Sequence, residues 1–336
     1  MQYNILTGSY VSINDAISYS TTILNSLKQD LVKALAEIED LEFTIITTGS
    51  FGRLEASAES DIDLFIFCDK DATLEQLIAK KDCISECVKK YIKKDVGDTG
   101  TFGPDATEVF EVILANIGGN NDTNATLTRR MLFLLEGKAI YNEVVFNKYK
   151  KTLINKYLKS SSEGKIDKYL LNDIIRYYRT ITTDFQHKVD AGGKSWGIRN
   201  IKLRFSRKLL YFAGVLAIAY VADNESDKDK RVDLLSNIFA VPALERIFTI
   251  SNETISIDES DKILNDVFES YEVFLSCISN KYKRAELEAI TDKEERLNNV
   301  TYTEISMESI KFSDKLYKLL KLAFPDEHPI HSSLIF

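Results

Sequence analysis

Asp61 and Asp63 stand one residue apart in TTGSFGRLEASAESDIDLFIF (residues 47–67), at the head of an apolar run. Side chains alternate along a strand, so residues two apart share a face. DIDLFIF read as a strand presents both carboxylates to one point, while Ile62, Leu64 and Ile66 turn the other way into a core. Two like charges held together out of bulk water repel unless a cation lies between them. Mg2+, or Mn2+ in its place, suits the position. Such an ion takes a few carboxylate oxygens and keeps its other positions for water and substrate phosphates. Gly49 and Ser50 stand just upstream. A glycine turn lets phosphate approach the backbone closely, and a serine hydroxyl at a helix start adds a donor. The stretch thus reads as a metal site beside a phosphate site.

The elements that must position these residues follow from the apolar spacing. Ile13, Ile17, Leu24, Leu27, Leu31 and Leu35 recur at helical intervals, which predicts a long amphipathic helix ahead of the motif. Phe43, Ile45 and Ile46 form a short strand-prone run before Gly49, and DIDLFIF forms a second, so two neighbouring strands joined by a turn and a short helix are expected. TLEQLIAKKDCISECVKKYI reads as one helix, followed by a strand through Lys94, Asp95 and Val96. Beyond Thr126 the pattern is almost wholly helical, through LTRRMLFLLEGKAIYNEVVFNKYKKTLINKYL to DKILNDVFESYEVFLSCISNKY, with Ile263, Val267, Phe268, Tyr271, Phe274 and Leu275 on one side of the latter. SSSEGK at 160–165 is the expected joint.

Composition sets the bounds. A chain of 336 residues that is 44% hydrophobic buries a substantial core, of roughly two domains by length. A net charge of −8 argues against a global polyanion-binding field, so any phosphate site is local. The four cysteines (Cys68, Cys83, Cys87, Cys277) are too sparse for a disulfide framework. Cys83 and Cys87 lack further ligands at zinc spacing. With no leader-like start and no apolar run of about 18 residues, a soluble, cytoplasmic protein with reduced thiols is expected.

GSFGRLEASAESDIDL resembles, in spacing and residue type, the signature of the nucleotidyltransferase superfamily related to DNA polymerase β. It is similar to bacterial minimal nucleotidyltransferases and to the uridylyltransferase domains that act on nitrogen-regulatory proteins. A weaker likeness continues in LTRRMLFLLEGKAIYNEVVF, similar to a helical segment that follows the core of the uridylyltransferase-like group. The resemblance implies an α+β fold: a small mixed-sheet domain flanked by helices over residues 1–125, then a mainly helical domain over 126–336 that closes the cleft and selects the acceptor. It also implies Mg-dependent transfer of a nucleoside monophosphate from a nucleoside triphosphate to an acceptor hydroxyl, with pyrophosphate released.

In that scheme Asp61 and Asp63 are catalytic metal ligands, and Gly49 and Ser50 hold phosphates. The family's third carboxylate falls to Asp95, ahead of Glu108 and Glu111. Arg53 is a further phosphate contact, with an exposed Arg53–Glu55 ion pair as the plainer reading. In HKVDAGGKSWGIRNIKLRFSRK, seven cations face only Asp190. Arg199, Lys202 and Lys208 from this stretch are candidates to hold the triphosphate or a phosphate-bearing acceptor such as RNA. A protein side chain ranks ahead of an RNA 3′ end or a small molecule as acceptor. A catalytically inactive nucleotide sensor, or an antitoxin-like binding module, is the alternative.

Overall fold

The computed structural model of the protein describes residues 2–93, 103, 106–158, 165–192 and 195–335. The strand expected through Lys94, Asp95 and Val96, and residues 160–164 of the expected joint, lie outside them.

Helix α1 (Tyr3–Gly8) leads into α2 (Val11–Ala34), β1 (Phe43–Thr48), the short α3 (Gly49–Gly52) and β2 (Asp63–Cys68). Then come α4 (Asp71–Ala79), α5 (Lys81–Lys89), β3 (Thr107–Val109), α6 (Phe110–Ala115), α7 (Asn124–Leu135), β4 (Lys138–Tyr141) and α8 (Glu143–Tyr157). The described chain is helical thereafter: α9 (Lys168–Gly192), α10 (Trp196–Lys202), a π-helical segment (Leu203–Arg207), α11 (Lys208–Asn224), α12 (Lys228–Ala240) and α13 (Ala243–Thr254). It ends with α14 (Ile257–Ser279), α15 (Lys281–Ala289), α16 (Val300–Ala323) and α17 (Pro329–Ser333). Two compact units result. One, bearing the sheet, comprises Ala16–Ser160 and Lys228–Pro242; the other, helical, comprises Met1–Asp15, Ser161–Asp227 and Ala243–Phe336.

The sheet is mixed, in the order β3-β2-β1-β4. β1 lies antiparallel to β2 and β4, and β2 parallel to β3. This is the α+β architecture that the resemblance implies. Ile62, Leu64, Ile66 and Cys68 pack with Phe43 and Ile45 against Leu24, Leu27, Leu31 and Leu35 of α2 and its exit, and against Leu77, Ile84 and Val88 of the next two helices. The opposite face of β2 carries Phe65 and Phe67; Phe67 packs on Phe110 and Phe133 at ring distances of 5.6 and 5.3 Å. A sheet covered on both sides explains why β2 is apolar at every position after Asp63.

Two helical expectations are corrected. The stretch from Asp71 to Lys89 is two helices: the Lys80 amide closes a tight turn onto the Leu77 carbonyl (3.0 Å) and ends α4 there. The long helical pattern beyond Thr126 is interrupted at Glu136 and Gly137, after which Lys138–Tyr141 adds to the open side of β1. The apolar run Ala139, Ile140 and Tyr141 serves a buried strand as well as a helix, and only an available strand edge decides between them. The sheet-bearing unit therefore runs past residue 125.

In the helical unit Ile263, Val267, Phe268, Tyr271, Phe274 and Leu275 of α14 are all buried, as their spacing predicts. Phe205 of the π-helical segment stacks on Phe274 at 4.7 Å and on Phe312 at 5.1 Å. The continuous helix Trp196–Asn224 is long and apolar enough to cross a membrane, but 78% of its most apolar window is buried inside the structure.

Candidate active site

The turn between β1 and β2 is built by three consecutive residues of different backbone type. Thr48 is extended (φ −130°, ψ −159°), Gly49 is left-handed (φ 64°), and Ser50 continues into α3. Thr48 lies directly across from Asp63 in the antiparallel register, so their side chains share a sheet face. A Cβ on Gly49 would fall on the Asp63 carboxylate. Glycine is thus required twice over, by its positive φ and by the carboxylate lying against its Cα.

Asp61 precedes the strand and is exposed, while Ile62 between the two aspartates is fully buried in the core. The inward turn of Ile62 is the alternation read from the sequence. The Thr48 hydroxyl is buried and has no hydrogen-bond partner among the described residues. The Ser50 side chain is half-buried at the start of α3. The carboxylates of Asp61 and Asp63 and the Thr48 hydroxyl are oxygens of the kind a hard divalent cation takes. Among the described residues, no third Asp, Glu, His or Cys completes a metal-ligating group.

Asp95 lies outside the described residues. Glu108 pairs with Phe67, four residues along β2 from Asp63, a separation of about 13 Å at the rise of a strand. Its carboxylate is held by Arg129 at 2.9 Å. Glu111 is exposed in the first turn of α6. Neither glutamate meets Asp63.

A second, buried layer supports the turn. Glu136, in the residue that ends α7, accepts the Gly49 amide through Oε1 (2.8 Å) and the Arg53 guanidinium through Oε2. Arg53 also donates from Nε to Glu55 (2.7 Å). The three residues are 5–7% exposed. Arg53 is therefore held between two carboxylates behind the turn, in a buried pair where the sequence reading allowed an exposed one, and the Gly49 N–H is committed to Glu136. Farther along, Ser20 of α2 accepts the Ala56 amide (3.0 Å), and the Ser60 hydroxyl accepts that of Ser57 (3.1 Å). The polar stretch between the strands is thereby fastened to the unit.

Gly49, Ser50, Arg53 and Asp63 lie at one end of the β1–β2 pair, with Asp61 two residues ahead of Asp63, whereas Arg199, Lys202 and Lys208 belong to the helical unit. Lys208 is half-buried and donates to Ser313. Glu136 and Thr48 are the contributors that the sequence did not announce. Glu136 stands 87 residues from Gly49. Its one signal is an acid that closes the apolar run MLFLLEG immediately before a glycine.

No curated protein matches the chain. Residues 28–104 match the family model described as a nucleotidyltransferase domain. That stretch holds β1, the Gly49–Ser50 turn, both aspartates of the β2 entry, and α4 and α5. Nucleotidyltransferases move a nucleoside monophosphate from a nucleoside triphosphate to an acceptor. Over residues 28–104 the chain is thus similar to the nucleotidyltransferase superfamily.

Proposed function

We propose that the protein transfers a nucleoside monophosphate from a nucleoside triphosphate to an acceptor hydroxyl, with Mg2+ or Mn2+ and with release of pyrophosphate. The observation that carries this reading is the Asp63 carboxylate lying against the left-handed Gly49 turn, across from Thr48 and next to Asp61. Asp61 and Asp63 would hold the metal, with Asp95 as the third ligand. When bound, the ion neutralises the triphosphate and lowers the pKa of the attacking hydroxyl. The half-buried Ser50 hydroxyl would donate to a phosphate oxygen, while Gly49 leaves room for the Asp63 carboxylate beside it. Arg53 and Glu136 act by holding the turn in place. In the transfer the acceptor oxygen bonds to the α-phosphorus, the bond from that phosphorus to the bridging oxygen breaks, and the acceptor hydroxyl loses its proton.

Arg199 and Lys202 would serve as phosphate contacts. The likeness of GSFGRLEASAESDIDL to uridylyltransferase domains favours a protein side chain over an RNA 3′ end or a small molecule. The alternative is a nucleotide-binding module without turnover, which a missing third carboxylate would mark.

Each labelled nucleoside triphosphate, incubated with the protein, Mg2+ or Mn2+ and a cell lysate, separates the readings. Label on protein or RNA that disappears with Asp63→Asn supports transfer. Binding of nucleotide with no labelled product supports the module. Full transfer by Asp63→Asn would overturn the site.

A further inference from the structure

The helical unit contains a cluster of cations and hydroxyls that the transfer reaction does not explain. Arg204 lies in the π-helical segment and Lys208 opens α11 four residues later. Across from them α16 presents Tyr302, Ser306, Ser309 and Ser313, whose intervals of four, three and four residues place them on one helix face. Arg204 Nη1 donates to Ser306 Oγ (2.8 Å) and to Ser309 Oγ (3.2 Å), and Lys208 Nζ donates to Ser313 Oγ. Phe205, stacked between Phe274 and Phe312, fixes the segment on its apolar side. π-helical turns recur at functional sites, because one extra residue in the turn re-aims the side chains around it.

The charges are unbalanced. Among the described residues neither Arg204 nor Lys208 has a carboxylate within ion-pairing distance, although Asp and Glu outnumber Lys and Arg by 51 to 43 in this chain. Burial and the nearby Arg204 charge hold Lys208 below its ordinary pKa, with Asp314 opposing them. Serine hydroxyls solvate a cation but do not neutralise it. Ser309 and Ser313 also direct their own protons to backbone carbonyls (2.6 and 2.7 Å). Arg204 keeps Nε and Nη2, and Lys208 two of its three protons, for a further acceptor. Arg204, Lys208, Ser306 and Ser313 are half-buried, so solvent reaches the cluster.

We infer that Arg204 and Lys208, framed by Ser306, Ser309 and Ser313, form a binding site for one phosphate group, either free phosphate or a phosphate monoester. Two adjacent cations with donors to spare match a dianionic tetrahedral group. The site stands within the helical unit and needs neither metal nor nucleoside triphosphate, so it survives or fails apart from the transfer reaction.

The test is thermal stabilisation and isothermal calorimetry of the full chain without divalent metal at constant ionic strength. Inorganic phosphate, AMP and adenosine are the probes, and chloride is the control. Wild type and Asp63→Asn should bind phosphate alike, and Arg204→Gln and Lys208→Gln should each weaken it by about tenfold or more. Lys208→Arg, which keeps the charge, should retain binding and guards against a variant that simply misfolds. Binding of AMP but not adenosine identifies a monoester as the source; binding of inorganic phosphate alone identifies the free anion. Absence of binding by wild type, or equal binding by both glutamine variants, would overturn the site.

Discussion

Glu136 offers the sharpest test of how the Gly49 turn is held. Its carboxylate is 5% exposed as a residue, accepts the Gly49 amide at 2.8 Å and pairs with Arg53. Glu136→Ala removes both acceptors at once. An orphaned buried amide costs about 1–3 kcal/mol, and breaking a buried ion pair costs about 3–5 kcal/mol. Glu55 still holds Arg53 at 2.7 Å, so the second figure shrinks and the loss should total about 3–4 kcal/mol. Glu136→Gln keeps one acceptor for the amide and should lose about 1–2 kcal/mol. Urea unfolding followed by far-UV circular dichroism reads these differences as midpoint shifts at constant slope. The single tryptophan, Trp196, lies in the helical unit and is a poor reporter for this one. Coupling between Glu136→Gln and Arg53→Met should exceed about 0.5 kcal/mol in a double-mutant cycle. Alanine and glutamine variants both as stable as wild type, with no coupling to Arg53, would refute the account of the buried layer.

Gly49→Ala should lose about 2 kcal/mol or more and all transfer, because alanine resists the left-handed backbone and its Cβ displaces the Asp63 carboxylate; unchanged unfolding midpoints would contradict this. A nucleoside triphosphate with Mg2+ should raise the melting temperature of wild type, and Ser50→Ala should weaken that binding by about tenfold through loss of one hydrogen bond to a charged oxygen. Equal shifts in the two proteins would remove Ser50 from the phosphate site. A thiol reagent at pH 8 should modify Cys83, the half-buried thiol, well before the other three. Burial, then the neighbouring Asp69 charge, pushes Cys68 up to about 11, and burial first of all also raises Cys87 and Cys277. Two or more thiols reacting in the first phase of the native protein would contradict that order.

The sequence by itself determined the features that rest on neighbours along the chain. The helical spacing of Leu24, Leu27, Leu31 and Leu35, the paired strand runs, and Ile62 turned inward between Asp61 and Asp63 are local periodicities, and they appear as read except that the second strand begins at Asp63, with Asp61 ahead of it. A left-handed glycine followed by serine is equally local, since the backbone preference belongs to the residue itself. Tertiary structure decided what a linear pattern leaves open. Lys138–Tyr141 became a strand because β1 offered an edge, although its apolar run suits a helix as well. Arg53 was drawn between Glu55 and Glu136, behind the turn, because a guanidinium removed from water takes the carboxylates that the fold brings to it. The Thr48 hydroxyl faces Asp63 only through the register of β1 on β2. Arg204 and Lys208 meet the serines of α16 across about a hundred residues of chain, a separation at which composition marks a basic segment and only packing places its partners.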